Sequence, residues 1–214
     1  MPINNILTAG GIVSYPLLVF SLLAVALIIE RTIFWVRIKR KQRRVVKEAL
    51  SLYRSDSFSA VAKLKKNAEL PIARIFLEAL ELEEPNADEF RLALDSATQA
   101  EIPTLRRFAT LFQTIVAASP LLGLLGTILG LMESFSLLVI GNDTGSNSAG
   151  VMEGLSVALV STVMGLVVAI FTLLFANTFR GLYLQELALI QEYGGQLELL
   201  YRRFHLGVRK YAPH

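Results

Sequence analysis

The sequence predicts an all-α membrane protein with three transmembrane helices and long helical extensions on one side of the membrane. Of its 214 residues, 53% are hydrophobic and the mean hydropathy is +0.52, which is high for a water-soluble chain of this length. Its 21 Lys and Arg residues all lie in 31–107 or 180–210. The apolar runs that separate these basic segments are long enough to cross a bilayer core of about 30 Å.

The basic residues also predict the orientation of the chain. Segments rich in Lys and Arg stay in the cytoplasm, so residues 37–107 and 180–214 are expected there. A short lead, 1–11, and a polar loop, 141–150, contain no basic residue and are expected outside. Three spans then place the N-terminus outside and the C-terminus in the cytoplasm.

The first span is predicted at residues 12–36, which would form about 37 Å of helix. Trp35 suits the headgroup region, and Arg31 is expected to extend toward the same interface. Glu30 is harder to place, because a carboxylate inside the interface is costly unless it is paired or faces water. It is either half of an ion pair with a basic neighbour or a functional acid.

The cytoplasmic segment 37–107 has the periodicity of short amphipathic helices. Chain breaks are expected at 55–57, 70–71 and 84–86, where Ser, Asp, Pro and Asn interrupt the pattern. Segment 180–214 is expected to be one helix whose apolar seam pairs within the chain or between copies. That seam consists of Ile190, Tyr193, Leu197, Leu200 and Phe204.

The second and third spans, 108–140 and 151–179, carry small residues at helical spacing. Such a face either packs closely on another helix or lines an ion pathway, and spacing alone leaves both interpretations open. The members of these faces include Ser119, Gly123, Gly126, Gly130, Ala158, Gly165 and Ala169.

Three hydroxyls, those of Thr127, Ser161 and Thr162, lie in the middle of these apolar spans. Each either bonds to a carbonyl of its own helix or lines a file of water. The two spans contain no acidic or basic residue except Glu133 and Glu153, both toward the outer end. If protons move, we therefore expect a second polypeptide to bring the central carboxylate.

Composition argues against several other classes of function. The chain has no Cys and only two His, so no metal site, cofactor site or disulfide is expected. No span carries a catalytic set such as Ser with His or paired Asp, so we expect no enzyme activity. The net charge of +3 reflects the uneven placement of Lys and Arg, and it does not indicate nucleic-acid binding.

Two motifs resemble those of the MotA/TolQ/ExbB proton-channel proteins. Residues 112–135 read FQTIVAASPLLGLLGTILGLMESF and resemble the family hallmark, while 154–170 resemble its third-span partner. Glu30-Arg31 and residues 101–106 also fit. Three spans with a large loop between the first two resemble the ExbB/TolQ branch, since MotA-like proteins have a fourth span.

The resemblance implies a homopentamer with a central pore in the inner membrane, as a multi-pass protein. It would surround a dimer of a single-span ExbD/TolR-like partner, whose membrane aspartate accepts the proton. Thr127 and Thr162 match the two pore threonines, Ser161 lies beside them, and the small residues would contact the pore or the partner helix. The complex would drive a TonB-like transducer for uptake across the outer membrane.

The chain departs from the family pattern at the outer end. Val157 stands where ExbB and TolQ usually have a glutamate, and Glu153 lies one helical turn earlier as an accessory carboxylate. Glu133 is also unusual at its position, and Glu30, Glu133 and Glu153 are the three candidate accessory carboxylates. A TolQ-like or other stator role, and a non-conducting membrane scaffold, remain as alternatives, and the transported ion is either H⁺ or Na⁺.

Overall fold

The computed structural model describes residues 11–140 and 147–206, and these two stretches are helical, without a strand. The predicted lead, apart from Gly11, and residues 141–146 of the predicted loop lie outside the described residues. The helices are α1 (Ser14–Tyr53), α2 (Ser57–Lys65), α3 (Pro71–Leu80), α4 (Ala87–Leu105), α5 (Ala109–Ile140) and α6 (Asn147–Tyr201). A π-helical turn, Arg202–Leu206, follows α6.

Helices α1, α5 and α6 are long and apolar enough to cross a membrane, as the sequence predicts. They contain 40, 32 and 55 residues, or about 60, 48 and 82 Å of helix. The first and third thus extend well beyond a bilayer core of about 30 Å. Only 22% to 28% of their most apolar windows is buried within the chain, so most of this surface needs lipid or another subunit to cover it.

The chain divides into two compact units. The first contains the chain up to Arg31 together with Phe108–Phe179. The second contains Thr32–Arg107 and the chain from Arg180 onward. An apolar cluster forms the core of the first unit, and its buried members are Ala24, Leu27, Phe112 and Ile115.

In the second unit the helices begin where the sequence predicts chain breaks. The Asp56 carboxylate caps α2 by accepting from the backbone N–H groups of Phe58 and Ser59. Pro71 occupies the first turn of α3, where its missing N–H costs no hydrogen bond. Asn86 caps α4 and forms a reciprocal capping box with Glu89.

The second unit packs around α3 and the final turns of α6. The apolar face of α3 is buried, with Ile72 and Phe76 at most 1% exposed. The Tyr201 ring stacks on Phe90 at 4.2 Å, and its hydroxyl donates to the Pro85 carbonyl. The predicted seam of α6 is buried at Ile190, Tyr193 and Leu197, whereas Phe204 is 44% exposed.

Candidate functional site

In the first unit, α5 and α6 run antiparallel and approach closely through their small residues. A methyl group added at Gly123 would lie 3.0 Å from the Ser161 carbonyl oxygen, and one at Gly130 would lie 3.0 Å from the Ala158 Cβ. At Gly165 an added methyl would collide with the Ser119 carbonyl oxygen. The backbones are therefore too close for larger side chains at these positions.

The structure thus brings the two predicted small-residue faces into contact with each other within one chain. Ser119 is 0% exposed and Ala158 is 1% exposed. Their role here is helix packing, and the pore or partner-helix role predicted for them stays a prediction. All seven of the predicted small residues are buried: Ser119, Gly123, Gly126, Gly130, Ala158, Gly165 and Ala169.

The three predicted hydroxyls are placed differently. Thr162 donates a hydrogen bond of 3.1 Å to the Gly123 carbonyl on α5. Ser161 is completely buried and donates to Ala158 at 2.8 Å, with a longer contact of 3.4 Å to the same Gly123 oxygen. Thr127 donates to the Leu124 carbonyl of its own helix at 2.6 Å. Among the three, Thr127 and Thr162 are partly exposed.

The two partly exposed threonines are connected through one carbonyl. The Gly123 oxygen that receives the Thr162 hydroxyl is also the regular helical acceptor for the backbone N–H of Thr127. Both hydroxyls are uncharged at neutral pH. They can exchange hydrogen bonds with water or with another side chain, but they cannot store a proton.

The predicted accessory carboxylates are scattered. Glu30 lies 3.3 Å from Arg31, so the ion-pair interpretation of Glu30 agrees with the structure. Arg31 is only 2% exposed within the chain, and its expected extension toward the interface stays a prediction. Glu133 is exposed, and the side chain of Glu153 lies outside the part of the chain that the structure describes.

A serine that was not among the predicted residues, Ser134, also belongs to this helix contact. Ser134 is 3% exposed and donates to the Gly130 carbonyl at 2.9 Å and to Val151 at 3.3 Å. It therefore links α5 to the beginning of α6. The available signal was its spacing, because Ser134 lies four residues after Gly130 on the same small-residue face.

A family model matches this site directly. The MotA/TolQ/ExbB proton channel family model matches residues 67–192, which include all of α5 and most of α6. The chain belongs to the MotA/TolQ/ExbB proton channel family. Both threonines and the small-residue contact of this MotA/TolQ/ExbB member fall inside the matched region.

Individual relatives agree with the ExbB/TolQ branch. A Synechocystis protein named ExbB-like 3 is 68% identical over 197 residues, covering 92% of this chain and 94% of the relative. ExbB-like 1 of the same organism is 36% identical over 206 residues, covering 96% and 79%. The Tol-Pal system protein TolQ of Haemophilus influenzae is 30% identical over 125 residues, covering 57% and 51%.

Proposed function

We propose that this chain is the wall subunit of an inner-membrane complex that converts the proton motive force into mechanical work. Five copies would surround a dimer of a single-span ExbD/TolR-like partner, with the N-terminus of each copy outside and its C-terminus in the cytoplasm. One observation carries this proposal. The structure describes two partly exposed hydroxyls, Thr127 and Thr162, on helix segments 109–140 and 147–179, whose sequence contains no titratable residue other than Glu133 and Glu153.

Each threonine is separated from the nearest acidic residue of its own helix by six or more positions. Glu133 is six residues from Thr127, or about 9 Å along α5. Glu153 is nine residues from Thr162, or about 14 Å along α6. The proton carrier in this scheme is therefore the membrane aspartate of the partner, and Glu133 and Glu153 act as accessory carboxylates where protons enter.

Charge neutralisation would drive the cycle. An ionised aspartate resists moving along an apolar wall, because it would lose its hydration there. Protonation removes that penalty and lets the partner helix step past the wall, and release of the proton on the cytoplasmic side resets it. A potential of about 100 mV provides ~2.3 kcal/mol for each charge that crosses.

The packing of α5 on α6 suits a wall of this kind. The interlocked small residues hold the two helices at one separation, so both threonines stay at fixed positions while the partner moves. Buried Ser161 would act indirectly, through its contact with the Gly123 carbonyl that Thr162 also uses. The exposed apolar side chains of α5, among them Leu121 and Phe135, would face lipid or the next copy.

The proposed output is force on a TonB-like transducer that serves uptake across the outer membrane. Support comes from the relatives named ExbB-like, and from a biopolymer transport protein ExbB of Pseudomonas putida that is 35% identical over 103 residues. A TolQ-like role in the cell envelope is the second candidate, because a TolQ protein is among the relatives. Deleting the gene separates the two, since loss of receptor-dependent uptake supports the first role and a cell-envelope defect alone supports the second.

Threonine variants test the pathway against a non-conducting scaffold. Thr127→Val and Thr162→Val keep the side-chain volume and remove the hydroxyl. Thr172→Val is the matched control, because Thr172 is 1% exposed and its hydroxyl donates to the Val168 carbonyl of its own helix. Proton flux is measured with a pH-sensitive dye in vesicles containing the co-purified complex, and native mass spectrometry counts its subunits.

The pathway predicts loss of flux in the first two variants, with the oligomer intact, and normal flux in Thr172→Val. Unchanged flux in both threonine variants would contradict the proposed wall. The scaffold would be supported if the variants reduced the amount of assembled complex while the complexes that did assemble kept their normal proton flux.

A further inference from the structure

The second unit contains a buried carboxylic group that the proposed function does not use. Glu186 on α6 is 4% exposed, although it lies seven residues beyond the predicted third span. Its partner is Gln42 on α1, which is 2% exposed and donates from Nε2 to the Glu186 Oε1. The two residues are 144 positions apart in the chain.

Of the two polar atoms in the Gln42 side chain, only Nε2 has a hydrogen-bond partner among the described residues. Its Oε1 is buried and has no hydrogen-bond donor among the residues that the structure describes. A buried acceptor without a donor costs free energy, because it has given up its bond to water. The neighbouring carboxyl group is the obvious source of a donor, provided that it carries a proton.

A protonated carboxylic acid has one donor and one acceptor, which match the acceptor and the donor of a primary amide. An ionised carboxylate only accepts hydrogen bonds, so it cannot serve the Gln42 Oε1. A neutral acid has one O–H donor and one carbonyl acceptor. It can donate to the Gln42 Oε1 while its carbonyl accepts from the Nε2, which forms a ring of two hydrogen bonds.

A cavity gives this pair access to protons. It has a volume of about 560 Å³, and both Gln42 and Glu186 are among its lining residues. The charged side chains that face it are Lys39 and Arg43 from α1 and Glu192 from α6, all of which are exposed. Proton exchange with the surrounding water therefore needs no unfolding of either helix.

We infer that Glu186 is a proton-binding site in the second unit, held as a neutral carboxylic acid at neutral pH and joined to Gln42 by two hydrogen bonds. Burial raises the pKa of Glu186, while the bond from Gln42 and the nearby Lys39 partly oppose that rise. Loss of the proton places a negative charge in the contact between α1 and α6. Alkaline pH is thus expected to loosen that contact.

Infrared spectroscopy tests this site directly, because the carbonyl stretch of a protonated carboxylic acid is separate from the bands of carboxylates and amides. The purified full-length protein is compared with Glu186→Gln at a pH of about 7, where an ordinary glutamate is ionised. Glu192→Gln is the matched control, since it removes one carboxyl group from the exposed rim of the same cavity.

The expected result is a protonated-acid band that is lost in Glu186→Gln and retained in Glu192→Gln. In Gln42→Leu the band should move to higher frequency, because the acid keeps its proton and loses its hydrogen-bond partner. Absence of the band from the unmodified protein, or its persistence in Glu186→Gln, would overturn the inference. If Glu186→Gln does not fold, an unshifted band in Gln42→Leu would overturn it. None of these outcomes depends on proton-driven work.

Discussion

The hydroxyl of Thr162 on α6 donates a hydrogen bond of 3.1 Å to the carbonyl oxygen of Gly123 on α5. The absence of a side chain at Gly123 is what allows this contact, since an added Cβ would lie 3.0 Å from the Thr162 Cα. One glycine thus sets both the separation of the two helices and the position of a hydroxyl in the proposed pathway.

The two threonines are expected to differ in their contributions to stability. Thr162→Val removes an interhelical hydrogen bond, which in membrane proteins is worth about 0.6 kcal/mol on average. Thr127→Val removes only a bond within its own helix, so its effect should be smaller. Equilibrium unfolding in mixed micelles measures both. Equal losses in the two variants would contradict the assigned hydrogen bonds.

Substitution of Gly165 by alanine is expected to destabilise the first unit. The added methyl collides with the Ser119 carbonyl, and overpacking of this kind costs about 1–3 kcal/mol. Gly181→Ala is the control, because apart from its chain neighbours and the nearby backbone of its own helix no described atom lies within 4 Å of the added methyl, and helix propensity should improve by about 0.5–1 kcal/mol. Thermal unfolding followed by circular dichroism should therefore move in opposite directions for the two variants.

The bidentate salt bridge between Arg74 and Glu101 is expected to stabilise the second unit. Two parallel hydrogen bonds of 2.6 Å join the groups, and Glu101 is only 14% exposed. A double-mutant cycle with Arg74→Ala and Glu101→Ala should give a coupling energy of about 1–2 kcal/mol. The exposed pair Arg91 and Asp95, at 3.9 Å, is the control and should couple by less than about 0.5 kcal/mol. Equal coupling in both pairs would contradict the prediction.

The start of α2 is expected to loosen in acid. The hydroxyl of Ser59 and the backbone N–H groups of Phe58 and Ser59 lower the pKa of Asp56 below its usual 3.8. A lowered pKa means that the cap is fully effective above pH 3.8 and is lost as the pH falls through the lowered value. Hydrogen exchange of the Phe58 and Ser59 amides measures this loss.

Asp56→Asn provides the control for the acid effect, because asparagine also caps helices and does not titrate. Protection of the two amides in this variant should not depend on pH. In Asp56→Ala protection should be low at every pH. An identical acid response in the original protein and in Asp56→Asn would show that another group is responsible.

The elements of this fold could largely be predicted from the sequence, because they depend on neighbours along the chain. Apolar runs of spanning length, the capping residues near Asp56 and Asn86, and Pro71 in a first turn are local signals, and each marks a helix or a helix start in the structure. The two small-residue faces were also visible, since helical spacing alone places their members on one side.

The sequence by itself determined the three apolar helices, the uneven placement of Lys and Arg, and the faces available for close packing. Only the tertiary structure decided which atoms meet on those faces. In the structure Ser161 is buried, whereas Thr127 and Thr162 are partly exposed. A hydrogen bond connects Gln42 to Glu186, which lie 144 positions apart in the sequence. The physical reason is that such pairings depend on the register and rotation of one helix against another, and a periodic pattern contains no information on either.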